Sequence, residues 1–287
     1  YYTLVGKGDH VICIDPTYSQ LYSVPDMFGA DVDLLKLTEE DGYIPNIDTL
    51  SGMIKENTKL IIINNPNNPL GSVIPNDRMK QICQLCEKHD IYLHSDEVYR
   101  PMFHSLGPDL EVPESACTLY SKAIVTCSMS KAYSVAGIRL GWMITADKQV
   151  LRDAASRRDY NTISVSVIDD RIAQYVLKNA EKVIERNMKL CKENYQYLTE
   201  FVDKHQNDFK YVATPQGGTV CLLRIKNIAN TYDFAAFLAD EFNVLAVPGE
   251  AFNFPGTLRI GYGNSKDDLI NGLPLLKKAN DLWIARH

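Results

Sequence analysis

Asn68, Asp96, Tyr99, Ser128, Lys131 and Arg139 form an unusual set, because each comes after a run of apolar residues that reads as a buried strand. Asn68 follows the run at 60–63, Asp96 and Tyr99 follow 91–94, and Ser128 and Lys131 follow 123–127, with Arg139 eight residues beyond Lys131. Charged groups gathered beside buried strands need partners, since an unpaired charge taken out of water is expensive. One kind of ligand would satisfy the whole set: a flat heteroaromatic ring with a cationic nitrogen, a phenolate-type oxygen, an aldehyde and a phosphate. Pyridoxal 5'-phosphate (PLP) carries all of these. A lysine amine forms a Schiff base with its aldehyde. A carboxylate keeps the ring nitrogen protonated, which preserves the ring as an electron sink. Asn and Tyr donors suit the ring oxygen, and a Ser hydroxyl with an Arg fork suits the phosphate.

These groups need a frame to hold them. Strands are expected at 10–14, 31–37, 60–63, 91–94, 123–127 and 140–145, and helices at 46–55 and from Pro75 to Lys88. The prolines and asparagines of residues 64–71 exclude helix and mark tight turns. Strands alternating with helices predict an α/β fold, in which a mainly parallel sheet is covered by helices on both faces. Ligands sit beyond the carboxyl ends of such strands. Three polar loops following three parallel strands would therefore converge on one rim.

A second region comes next in the chain. A long helical stretch is expected from Asp169 to His205, with a break near Glu185. The turn Thr214-Pro215-Gln216-Gly217-Gly218 precedes a strand at 220–225, a helix at 232–242, short strands at 244–247 and 257–260, and a final helix at 267–284. This pattern reads as a large domain over 1–185, including the linking helix, and a smaller α+β C-terminal domain over 186–287.

Composition narrows the classes of function. The chain has 287 residues, 45% of them hydrophobic, enough for a sizeable core. Its net charge of −6 argues against nucleic-acid binding, which needs a basic face. No apolar run approaches the length of a membrane span, and the first residues carry no signal-peptide pattern. Seven scattered cysteines, an odd number, suit free thiols in a reducing, cytoplasmic compartment. Cys83 and Cys86 share one face of an expected helix with no second ligand pair close by, which disfavours zinc or redox work. Gly6-Lys7-Gly8-Asp9 is too short for a phosphate loop and reads as a turn.

Asn68-Pro69-Leu70-Gly71, Ser95-Asp96-Glu97-Val98-Tyr99, Ser128-Met129-Ser130-Lys131 with Arg139, and Leu258-Arg259-Ile260 occur in that order. Together they resemble the successive motifs of the class I/II aminotransferases, the aspartate-aminotransferase superfamily of PLP fold type I. The resemblance runs from about Val5 to the C-terminus. It implies that Lys131 holds PLP and shuttles a proton, and that Asp96 pairs with the pyridine nitrogen. It implies that Tyr99 and Asn68 bond the ring oxygen, that Ser128 and Arg139 hold the phosphate, and that Tyr18 stacks on the ring. Arg259 would clamp the substrate α-carboxylate, with Asn68 also touching it. The implied reaction is ping-pong transfer of an amino group between an L-amino acid and a 2-oxo acid. The implied assembly is a homodimer, with residues 159–166 where the family brings a partner loop to the phosphate.

Taken singly, every one of these residues has a plainer reading. Lys131 alone would be a surface lysine. Asp96 would cap a turn, Arg139 would make a structural ion pair, Tyr18 would be a core aromatic, and Arg259 would pair with a nearby Glu. The shared order and the placement after strands argue otherwise. The resemblance also implies a substantial section before the equivalent of Val5, including a Gly-rich helix start that binds phosphate. The expectation is thus a fragment or a truncated form whose 287 residues alone hold PLP poorly. A PLP β-lyase, an amino-acid cyclase (to which Glu97-Val98-Tyr99-Arg100-Pro101 has some likeness) and a non-catalytic truncated paralogue remain alternatives.

Overall fold

The computed structural model describes residues 1–108 and 110–286. Its first sheet grows from apolar, β-branched segments. β1 (His10–Asp15), β2 (Asp31–Lys36), β3 (Thr58–Asn64), β4 (Tyr92–Asp96) and β5 (Ala123–Ser128) run parallel, and β6 (Gly141–Ile144) lies antiparallel to β5. The strand order is β2-β1-β3-β4-β5-β6. β3 reads TKLIIIN without polar alternation because both of its faces are covered. Ile61 and Ile63 pack with Met79, Ile82 and Cys86 of the helix Asn76–Lys88. Leu60 and Ile62 face the other way, toward Val11, Cys13 and Leu21.

The second sheet is antiparallel and comprises β7 (Phe209–Tyr211), β8 (Val220–Ile225), β9 (Val247–Pro248) and β10 (Thr257–Gly261), in the order β7-β8-β10-β9. Its apolar face, Cys221, Leu223, Ile225, Leu258 and Ile260, packs on the helices Ala180–Lys204, Thr231–Phe242 and Lys266–Arg286. The two sheets meet through the turn at 215–218. A Cβ on Gly217 would stand 2.8 Å from the Met102 carbonyl oxygen and from Pro66, so only glycine lets the turn lie against the loop that follows β3. The Gly218 amide donates to that same Met102 carbonyl at 2.8 Å.

Several expectations shift. The break in the long helix falls at Asn179, between Val167–Lys178 and Ala180–Lys204, and not near Glu185. The Asn179 side chain donates to the Tyr175 carbonyl at 2.8 Å and so completes the end of the first of these helices. Residues 244–246 are not strand, since only Val247–Pro248 pairs with β10. β4 runs on through Asp96, which therefore sits at a strand end instead of in a loop. The helices Gln20–Met27 and Lys148–Arg158 had no expected counterpart. The first contains Pro25, a residue that disfavours helix interiors. The second buries only Val150, so it lacks an apolar stripe, although Asp147 caps it by accepting from the Gln149 and Val150 amides. Among the described residues no helix is long and apolar enough to cross a membrane.

Candidate active site

Strand register brings the polar groups together. Asn64 at the end of β3 pairs with Asp96 at the end of β4, and Asp96 pairs with Thr126 on β5. Just beyond these ends lies a cavity of about 360 Å³. Every residue singled out from the sequence lines it: Tyr18, Asn68, Asp96, Tyr99, Ser128, Lys131, Arg139 and Arg259. Asn64, Val98, Ser130 and Ala136 line it as well. Sequence reasoning missed Asn64 as a site residue, although its place at the end of an apolar run was the available signal.

Asn64 ties the rim loops together. Its side chain donates to the Asp96 carbonyl at 2.9 Å and accepts from the Asn68 amide at 2.7 Å. Asn68 in turn accepts from the Arg259 guanidinium at 3.2 Å, which joins the first sheet's loop to β10 of the second. The Ser128 hydroxyl accepts from the Ser130 amide at 3.0 Å, which leaves its own hydrogen to donate. Arg139 ends a short 3-10 turn, Ala136–Ile138, in the left-handed region at φ 50. That conformation is uncommon for a side chain of its size. It donates to the Ala136 carbonyl at 2.9 Å, and its remaining guanidinium N–H groups can serve an anion.

Burial and neighbouring charges shift several of the titratable groups that line the cavity. Burial pushes the Asp96 carboxyl up to about 6, and Glu97 adds to this, while the Val98 amide at 3.2 Å and the Thr126 hydroxyl oppose it. Burial lowers the Lys131 ammonium, and the positive charges of Arg259 and Arg139 lower it further. A lysine so placed offers more of the neutral amine that attacks a carbonyl. Burial raises the Tyr99 phenol, whereas Arg259 and the Thr219 side chain hold it down. Among the described residues no ion pair includes Asp96, Lys131, Arg139 or Arg259. A buried carboxylate and three cations thus face one cavity without pairing among themselves.

This donor set fits PLP: a carboxylate for a ring cation, an amine for an aldehyde, a phenol and an amide for a ring oxygen, and a hydroxyl and a guanidinium for a phosphate. Cys83 and Cys86 lie in the apolar core beneath the sheet, away from the cavity, and burial raises both thiols, Cys83 to about 12. Among the described residues no cluster of His, Cys, Asp and Glu could hold a metal ion.

Fold and site define the PLP fold type I class, a transferase built on a mainly parallel sheet with a lysine at its rim. The model of aminotransferase class I and II matches residues 2–273, and the chain belongs to that family. The chain is similar to a PLP-dependent aminotransferase structure from Streptococcus suis, with 37% identity and a TM-score of 0.90, covering 97% of this chain and 72% of that one. It is similar to aspartate aminotransferase from Pyrococcus horikoshii, 27% identical over 96% of this chain and 71% of that protein. It is also similar to capreomycidine synthase from Streptomyces vinaceus, 24% identical over 94% of this chain and 68% of that protein. Class I and II aminotransferases are PLP-dependent enzymes, and the chain is a transaminase of that type.

Proposed function

We propose that the cavity holds PLP and moves an amino group from an L-amino acid to a 2-oxo acid, with each lining residue in the role its chemistry suits. The observation that carries this reading is a set of charges, Asp96, Lys131, Arg139 and Arg259, that line one cavity of about 360 Å³ and make no ion pair among the described residues. Bound PLP would supply the sink for charge that develops at the substrate Cα. Lys131 would hold the cofactor through its amine and, as a free amine, would carry the proton to and from that carbon. Asp96 holds the ring nitrogen protonated. Tyr99, which the Thr219 side chain orients, and Asn68 donate to the ring oxygen. Ser128 and Arg139 would hold the phosphate, and Tyr18 would offer its ring to the cofactor.

Arg259 reads the substrate carboxylate. It lies over the Phe252 ring at 5.1 Å and is tied to Asn68, so its planar fork is already oriented toward the cavity. Arg259→Lys should raise KM for amino acids at least tenfold, because lysine cannot make the two-point planar contact. Its PLP content should stay at the wild-type level. A variant that loses PLP instead would show that Arg259 serves the fold.

The function itself is tested by loading the chain with PLP and supplying a panel of amino acids, each with 2-oxoglutarate and pyruvate. Amino transfer with spectral conversion to the pyridoxamine form supports the reading. Release of pyruvate and ammonia would make the chain a β-lyase, and no spectral change at all would make it non-catalytic. Similarity to capreomycidine synthase favours a second reading, a cyclase, which would show as a ring amino acid without net amino transfer.

The working unit in this reading is a cytoplasmic homodimer, with a large domain over 1–185 and a small one over 186–287. Supporting it, Tyr160, Ile163, Val167, Ile168 and Tyr175 stand more than half exposed in one stretch of chain, and the helix Val167–Lys178 touches the 136–138 turn that precedes Arg139; exposed apolar residues of this kind mark interfaces. Light scattering should give the mass of a dimer; a fully active monomer would count against it.

A further inference from the structure

Behind Asp96, on the side away from the cavity, lies a hydrogen-bonded line of side chains that none of the roles above uses. His94 and Asp96 stand two residues apart on β4 and so point to the same face of the sheet. Thr126 is the registered partner of Asp96 on β5 and shares that face. This placement sets the Thr126 hydroxyl beside the Asp96 carboxyl, where it favours the ionised form. It also lies 2.9 Å from His94 Nε2, and His94 Nδ1 lies 2.9 Å from the Tyr1 hydroxyl.

The directions of these bonds follow from donor counts. An ionised carboxylate only accepts, so the single Thr126 hydrogen goes to Asp96. His94 Nε2 must then carry a hydrogen and donate to Thr126 Oγ1. Burial pushes the His94 imidazole down to about 3, so the ring is neutral and its Nδ1 is left to accept from Tyr1. Each donor in the line Tyr1, His94, Thr126 therefore points toward the Asp96 carboxylate. Such a chain polarises its members and strengthens the last bond. Of the titratable groups around Asp96, Glu97 beside it and Tyr1, Tyr99 and Cys127 from neighbouring segments are acids whose anions would oppose its ionisation, while the cations Lys131, Arg139 and Arg259 face it across the cavity and favour it; Thr126 and His94 act from the opposite side.

We propose that His94 and Thr126 are positioning residues that keep the Asp96 carboxylate ionised and aimed into the cavity, with His94 acting through the Thr126 hydroxyl as a neutral donor of fixed tautomer. The pair opposes the burial that raises the Asp96 carboxyl. Its value to catalysis rests on the reading of Asp96 as the partner of the ring nitrogen. Its effect on Asp96 does not depend on that reading.

The test is the ¹³C carboxyl titration of Asp96 in cofactor-free protein, compared across variants. Thr126→Val keeps the side-chain shape and removes the hydroxyl, so the Asp96 midpoint should rise by about one pH unit, a tenfold change in proton affinity. Thr126→Ser restores the hydroxyl and should restore the midpoint. His94→Phe should raise it in the same direction, and His94→Gln, which keeps an N–H donor, should bring it back. The His94 ¹⁵N signals should report one neutral Nε2–H tautomer across the neutral range. Thr126→Val and Thr126→Ser giving the same midpoint, or both failing to fold, would overturn the proposal, as would a His94 Nδ1–H tautomer. PLP affinity at neutral pH, measured alongside, separates the two claims. If Asp96→Asn leaves it unchanged, the cofactor reading fails. If Asp96→Asn weakens it while the Thr126 pair of variants leaves the midpoint unmoved, only the relay fails.

Discussion

Lys131→Ala should remove turnover while leaving the fold in place. The Lys131 side chain is exposed toward the cavity and takes part in no ion pair among the described residues, so its loss opens no hole in either core. The melting temperature should stay close to that of the wild type. Activity should fall by about 10²–10⁴-fold from the lost proton transfer alone. The lost covalent anchor adds to this, so that PLP should wash out on dialysis. Burial and the neighbouring Arg259 and Arg139 lower the Lys131 ammonium, which favours the neutral amine, and no other lysine lines the cavity among the described residues. Borohydride reduction of the PLP-loaded wild type followed by peptide mapping should place the label on Lys131. A label on a different lysine, or substantial turnover in Lys131→Ala, would sink the assignment.

Asp96→Asn should lower turnover more than tenfold. A hydrogen bond to a charged group contributes about 1.5–3 kcal/mol, and the neutral amide cannot hold the ring nitrogen in its cationic form. The pH dependence carries a further sign. Burial raises the Asp96 carboxyl to about 6 in the cofactor-free protein. Only the ionised form pairs with a cationic ring, so PLP affinity should fall as pH drops below about 6, where Asp96 takes up a proton. Asp96→Asn removes that component, and the difference between the two affinity profiles should vanish at low pH. The same raised carboxyl makes ionisation a cost to the fold, so in the cofactor-free protein the Asp96 contribution favours folding at low pH and is lost as pH rises from about 4 to about 6. Profiles that stay parallel from pH 5 to 8 would show that Asp96 is not the cation's partner.

The site was legible in the sequence because its parts are local. Asn68, Asp96, Tyr99, Ser128 and Lys131 each lie within a few residues of the end of a buried run, and parallel strands deliver the loops at their carboxyl ends to one rim. Arg259 was legible as a charge in an apolar strand and, through the resemblance, as a carboxylate clamp, but its direct bond to Asn68 was not. Its bond to Asn68 spans a sequence separation of 191 residues and depends on how the second sheet docks on the first. The helix Lys148–Arg158 escaped because it buries one residue and so carries no apolar period. The helix break was misplaced because Asn179 ends its helix through a side-chain bond to Tyr175, a choice that geometry makes and composition does not announce.

Residue type and order along the chain thus determine the α/β class, the strands and the roster of chemically able groups, since these depend on periodicity and on neighbours within a turn or two. Tertiary structure alone decides that Asp96 sits opposite Thr126, that His94 lies diagonal to it, and that Gly217 meets Met102. Those contacts arise from strand register and sheet docking, which sum many weak, long-range packing terms. A one-residue slip of β5 would keep every motif intact and still point Thr126 away from Asp96, because alternate residues of a strand face opposite sides.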